Sequence, residues 1–344
     1  MATDWSRTDL IDENEQIVKT ATKREKEKLE ESSGITVEEW DEQRVKMSRV
    51  SVDAKGAEQI QKKEGLYITM SMPTLSVSDT EGLMQLEKIL AKQLKEMHAP
   101  LKLTKDQPIL IIGLGNKTIT PDAVGPFAID SMQQKYGDDM ELPFIMYAPG
   151  VTGQTGLETA EFIEALVRKV NPQLVIVIDA LATRASNRLC KTIQLTNTGI
   201  HPGSGVGNER AEIAEETLNV PVTAIGVPTV VEGTVLLADA IESLFRAIAG
   251  KIQEKQMPSN ALSVLPWQPN EKAQINYELV RPIFGEWSTW AKEERLKLLE
   301  ETFIGRERLI VTPKEVDIWI TNYSLLISNA LFNWVHGLEG KPAS

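Results

Sequence analysis

The sequence predicts an α/β protein with a mainly parallel central sheet covered by helices on both faces. Three observations predict it. The runs Ile109-Leu110-Ile111-Ile112 and Leu174-Val175-Ile176-Val177-Ile178 are uninterruptedly apolar, as strands buried on both sides must be. Apolar strand-like runs alternate with helical patterns from about Gln107 to about residue 255, the order of a parallel sheet. Each of the two runs leads to an acid at its carboxyl end: Asp122 after a glycine turn, and Asp179 directly. Open α/β sheets place their chemistry in the crevice beyond the carboxyl ends of their strands.

The elements follow in chain order. Residues 12–48 are dense in Glu and Lys and read as a solvated helix of alternating charge. Val50-Ser51-Val52 and Leu66-Tyr67-Ile68-Thr69-Met70 are β-rich and flank Gly56 and Gly65, so they read as a pair of strands. Glu81 to Met97 carries Leu83, Leu86, Ile89, Leu90 and Leu94 on one helical face. Strand 109–114 leads to a helix from about Pro121. Phe144 to Tyr147 is a strand, a glycine-rich loop spans 149–156, and a helix follows at 157–169. Strand 174–178 comes next, and Thr192 to Thr196 alternates like an edge strand. The loop Gly199 to Asn208 precedes helix 210–218, strand 222–227 and helix 232–255. Residues 256–286 are polar and contain Pro, so they read as an insertion or long loop rather than a domain boundary. From Ser288 to the end the pattern is helical around a short irregular stretch at 304–312. Thr312-Pro313-Lys314-Glu315 has the composition of a helix start, with Thr as N-cap and Pro in the first position.

Composition narrows the function. The chain has 344 residues, 42% hydrophobic and 25% charged, ordinary for a globular protein. A net charge of −12 disfavours direct nucleic-acid binding and favours a basic or unfolded polypeptide as partner. One cysteine, Cys190, precludes an intrachain disulfide and fits a reducing cytoplasm. The N-terminal residues lack an apolar signal core, and no run has the length of a membrane span. His98, His201 and His336 are too scattered in sequence to make a metal site by themselves.

The candidate chemistry lies in three places. Gly113-Leu114-Gly115-Asn116 lacks the third glycine of a dinucleotide fingerprint, since position 118 is Thr; its glycines instead let the backbone turn sharply and bring Asp122 close to the sheet. Asp122 reads either as a charge favoured by a helix N-terminus or as half of a catalytic pair with Asp179, itself otherwise a cap for the segment after it. Two nearby carboxylates split their titration, so that one acts as acid while the other activates water. His201 sits in the loop with Gly203, Ser204 and Gly205, which can offer N–H groups to an oxyanion or simply form a tight structural turn. Ser204 is not in a G-x-S-x-G elbow, and Cys190 has no nearby histidine in sequence.

At this point the strings resemble a known family. Gly113-Leu114-Gly115-Asn116, Thr120 to Pro126, Pro149-Gly150-Val151, Ile178 to Arg184, Thr198 to Asn208, Gly226 to Val231 and Val311 to Asp317 are similar, in that order, to the germination proteases of spore-forming bacteria. The resemblance implies an endopeptidase that degrades small acid-soluble spore proteins, the coat of DNA in the dormant spore. It implies synthesis as an inactive homotetrameric zymogen in the cytoplasm of the developing spore, followed by self-processing. It implies no resident cofactor. The implied fold is a three-layer αβα sandwich similar to that of hydrogenase maturation proteases. The family's two essential aspartates fall on Asp122 and Asp179. The class is aspartic, without the D-T/S-G triplet of pepsin-like enzymes, which this chain also lacks. The family's propeptide junction resembles Arg7-Thr8-Asp9-Leu10-Ile11, with the cut between Asp9 and Leu10. This divides the chain into a propeptide, residues 1–9, and one α/β protease domain, residues 10–344. By analogy with the hydrogenase maturation proteases, Asp122, Asp179 and His201 would form a facial N/O metal cluster. The alternatives are therefore a metal-binding maturation protease or a non-enzymatic binding or chaperone protein on the same fold.

Overall fold

A computed structural model describes residues 34–60, 62–136, 143–150, 159–202, 211–256, 276–303 and 309–338. They fall into two compact units: one comprises residues up to Val230 together with those from Thr312 onward, the other Val231–Val311.

The first unit is built on a mixed sheet. Its strands are β1 (Ile35–Glu42), β2 (Val45–Val52), β3 (Gly65–Ser71), β4 (Ile109–Gly113), β5 (Phe144–Tyr147), β6 (Leu174–Thr183), β7 (Thr192–Thr196) and β8 (Val222–Glu232), the last running on into the second unit. Their spatial order is β1-β2-β3-β7-β8-β6-β4-β5. β4 pairs in parallel with β5 and β6, Ile112 opposite Tyr147 and Gly113 opposite Ile178. The start of β8 meets the start of β6, where Val175 N–H donates to the Pro221 carbonyl at 2.9 Å, and the Leu181 side chain crowds Gly226 further along, so these two strands also run together. β1, β2, β3 and β7 pair antiparallel and join the parallel part through β7 and β8.

Helices cover both faces, and the alternation of apolar residues shows how. Ile109, Ile111, Ile176 and Ile178 pack with α2 (Thr80–His98), α3 (Val124–Tyr136) and α9 (Val316–His336). Leu110, Ile112, Val175 and Val177 face the other way, onto Ile163 and Val167 of α4 (Thr159–Val170) and Leu218 of the short α5 (Glu215–Leu218). A strand with both faces buried has period-two side chains that are all apolar, which is what these runs contain. α9 is pinned by Tyr323, whose hydroxyl donates to the Cys190 carbonyl at 3.0 Å, and by Ser324, which donates to the Val124 carbonyl at 3.1 Å.

Several sequence expectations change. Residues 35–42 form a strand, not part of a charged helix: Ile35 and Val37 alternate and pack against Val50, Val52 and Tyr67, a small core that outweighs the charge pattern. A further short helix, α1 (Ala54–Ile60), follows β2. β7 is an inner strand between β3 and β8, with every residue buried, so its polar alternation of Thr192, Gln194 and Thr196 does not mark an edge. Helix 210–218 shortens to Glu215–Leu218 because Ile213 bridges Ile200 in extended conformation. α9 begins at Val316, with Glu315 at its N-cap, because the Thr312 hydroxyl donates to the Thr229 carbonyl at 2.9 Å instead of capping.

The second unit holds α6 (Gly233–Gln256), α7 (Tyr277–Phe284), α8 (Lys292–Thr302) and β9 (Ile310–Val311), which pairs with the end of β8 at Val231 and Glu232. Of the stretch expected as a loop, residues 257–275 lie outside the described residues, and 277–284 are helical. That helix forms because Val280 is buried and Phe284 packs on Phe245 of α6, ring centroids 5.0 Å apart. No described helix is long and apolar enough to cross a membrane.

Candidate active site

Asp122 and Asp179 lie where the parallel pairing of β4 with β6 stops; the expected strand 174–178 runs on to Thr183, so Asp179 stands inside β6, one residue past the last pair, Gly113 opposite Ile178, and does not cap its end. Asp179 is the sixth residue of β6, 7% exposed, and its carboxylate accepts from the Ala180 N–H at 2.9 Å. Asp122 closes a single 3₁₀ turn, Thr120–Asp122, between β4 and α3. Its carboxylate Oδ2 accepts from the Asn116 N–H at 2.8 Å, and that same N–H lies 3.2 Å from its carbonyl oxygen.

Glycines make this approach possible. Gly115 has φ +117, and a Cβ there would stand 1.9 Å from the Asp122 carbonyl oxygen, so only glycine lets the chain pass. At Gly125 a Cβ would meet the Leu114 carbonyl at 2.3 Å and the Ile178 carbonyl at 2.5 Å. The start of α3 is thereby docked backbone to backbone on the residue before Asp179. The Leu114 N–H donates to that same Ile178 carbonyl at 2.8 Å, locking the end of β4 to β6. Thr229, near the end of β8, adds a third tie by donating to the Pro121 carbonyl at 2.7 Å. The sequence carries the part of Thr229 only within the string Gly226 to Val231.

His201 goes elsewhere. It follows β7, whose end pairs with the start of β8, Thr196 opposite Ala224, whereas Asp122 is tied to β8 near its far end. Its Nε2 sits 3.2 Å from Glu212 Oε1, and Lys63 Nζ lies 2.8 Å from the other oxygen of the same carboxylate. Burial works to raise the Glu212 carboxyl, but the His201 and Lys63 contacts outweigh it and hold it below the usual carboxylate range. Among the described residues no three His, Cys, Asp or Glu side chains are arranged to hold a metal ion. The facial cluster of Asp122, Asp179 and His201 is therefore not assembled. Gly203, Ser204 and Gly205, the Asp9–Leu10 junction and the propeptide lie outside the described residues.

The other nucleophile and base candidates are structural. Burial pushes the Cys190 thiol up to about 12, so it stays protonated near neutral pH. Burial lowers His98 to about 4, and its neutral ring places Nε2 2.8 Å from Thr223 Oγ1.

A family model described as germination protease matches residues 11–339. The chain belongs to the germination protease family. A germination protease of Priestia megaterium is 38% identical over 89% of this chain and 87% of its own length. That of Halalkalibacterium halodurans is 35% identical over 96% of this chain and 93% of its own. That of a Geobacillus species is also 35% identical, with the same coverage. Among solved structures, a NiFe hydrogenase maturation protease from Thermococcus kodakarensis matches with TM-score 0.27 and 15% identity, over 36% of this chain and 74% of that one. Membership of the germination protease family makes this chain a peptidase with a role in spore germination.

Proposed function

We propose that this germination protease family member is a self-processing endopeptidase that begins the degradation of small acid-soluble spore proteins, with Asp122 and Asp179 activating water. The observation that carries the reading is the backbone docking of the Asp122 turn and α3 onto Ile178, which puts the Asp122 turn beside the strand that bears Asp179. One carboxylate takes a proton from water as its oxygen attacks the scissile carbonyl. The other, in its acid form, gives a proton to the departing amide nitrogen, so that the peptide bond becomes a carboxyl and an amine. Neither residue is assigned to one role. Burial of Asp179 and the backbone N–H groups of Asn116 and Ala180 that donate to the two carboxylates favour a pair held in place rather than one free to swing. No step is routed through His201, which is engaged by Glu212.

The same reading includes synthesis as a homotetrameric zymogen in the spore interior and a cut between Asp9 and Leu10. The test is paired substitution. Asp122→Asn and Asp179→Asn each keep size and remove a titrating group, so each should abolish self-processing and substrate cleavage while leaving the circular dichroism spectrum intact. The double variant should be no worse than either single one, because the pair acts as a unit. Near-normal cleavage by either single variant would remove that residue from the site. Inactivation by His201→Ala and by a strong chelator would favour the metal alternative instead.

A further inference from the structure

The edge strand beside the aspartates carries an apolar patch that neither core absorbs. β5 ends the sheet, and its Phe144 and Met146 pack into the core on the α3 side. Ile145 and Tyr147 alternate to the opposite face. There Ile145 is 37% exposed, and the Tyr147 ring stacks on Phe162 of α4, centroids 5.2 Å apart and planes 20° from parallel. Phe162 is itself 37% exposed, although Ile163 and Val167 of the same helix are buried. Ile119, in the turn that leads into Asp122, is 51% exposed. A half-buried tyrosine stacked on an exposed phenylalanine near the aspartates offers area and rigidity to an apolar ligand group.

We infer that Ile145, Tyr147 and Phe162 form a subsite for an apolar side chain of the polypeptide being cut, about three residues from the scissile bond. The inference rests on the Asp122–Asp179 reading. The occupant follows from the family, since a peptidase passes a polypeptide across the carboxyl edge that this patch borders. The spacing follows from the register. Tyr147 lies opposite Ile112 of β4, Ile112 lies opposite Val177 of β6, and Asp179 follows Val177 by two residues within β6. Two strand spacings and two residues of rise give a separation of roughly 12 Å. An extended peptide covers that distance in about three residues. A side chain so placed contributes binding energy remote from the chemistry, which sets selectivity.

The test maps bonds cut in denatured casein by mass spectrometry. The self-processed wild-type chain should show aliphatic or aromatic residues enriched three positions from the cut, on one side only. Phe162→Ala should lose that enrichment. For a quenched peptide with Phe at that position, this variant should raise KM about tenfold with kcat unchanged, as partial loss of an apolar contact does. Phe162→Leu should restore both. Unchanged cleavage profiles in folded Phe162→Ala and Tyr147→Ala variants would overturn the subsite alone, provided the Asp→Asn variants are inactive. Activity surviving in the Asp→Asn variants would overturn the placement of the scissile bond, and the three-residue spacing with it. A chain already cut between Asp9 and Leu10 that cleaves a spore protein but leaves the Phe-containing peptide uncut would overturn the subsite and leave the aspartate reading standing.

Discussion

The place of Asp179 just past the β4–β6 pairing was legible, because it interrupts an apolar run whose parallel register sets Ile178 opposite Gly113; Asp122 is carried to the same end by the glycine turn after β4. The partner of His201 was not legible. Glu212 lies eleven positions later, beyond a glycine-rich loop, and nothing in the local pattern distinguishes a histidine tied to a carboxylate from one aimed at a substrate. Gly115 is the residue on which the Asp122 geometry depends most directly. Gly115→Ala would place a methyl group against the Asp122 carbonyl and force an L residue to φ +117. The expected cost is roughly 1–3 kcal/mol from backbone strain, plus whatever displacement the turn needs to relieve the clash. Because that relief moves Asp122, activity should fall by more than tenfold even in protein that remains folded at the assay temperature. Thermal melts alongside kcat/KM would check this; a variant with normal kcat/KM would show that the position of Asp122 does not depend on the glycine.

Among the elements, the strands buried on both faces were the easiest to read and those with competing signals the hardest. Residues 35–42 carry four acids, and their charge hides the alternation of Ile35 and Val37 that makes them β1. β7 looked like an edge because three of its five residues are polar, yet its place between β3 and β8 is set by pairings far away in sequence. The helices of the second unit depend on a buried ion pair that no local pattern announces. The Arg295 side chain of α8 is 3% exposed; it donates to Glu242 of α6 and, at 3.1 Å, to the Ser288 carbonyl. The Tyr277 hydroxyl of α7 donates to the other oxygen of Glu242 at 2.7 Å, so one carboxylate joins three helices. Glu242→Gln leaves the guanidinium buried without its counter-charge and should destabilise this unit by roughly 3–5 kcal/mol. Replacing both residues, as Glu242→Leu with Arg295→Met, should recover most of that loss, since two well-packed apolar groups carry no desolvation penalty. Hydrogen exchange within residues 231–311 would report it; equal protection in Glu242→Gln and wild type would mean the pair contributes no net stability.

At the scale of the whole molecule, a net charge of −12 acts on every ligand that approaches. It repels the phosphates of a duplex and attracts basic, flexible polypeptide, most strongly at low ionic strength. If the substrates are small acid-soluble spore proteins, the enzyme and DNA compete for the same chains. Bound to a duplex, such a protein offers its bonds in an ordered conformation, whereas a proposed pair of carboxylates just past the β4–β6 pairing calls for an extended peptide that can lie across both. Cleavage should therefore be fast for the free substrate and at least tenfold slower when saturating DNA is added. Raising the salt should restore cleavage of the mixture, because counterion release weakens the protein–DNA complex steeply. The same salt should slow cleavage of free substrate, because it screens the attraction of the acidic enzyme for basic chains. The two opposite salt responses separate protection by DNA from inhibition of the enzyme. Equal rates with and without DNA at low salt would show that ordering on the duplex does not shield the scissile bonds, and that charge alone governs access to the site.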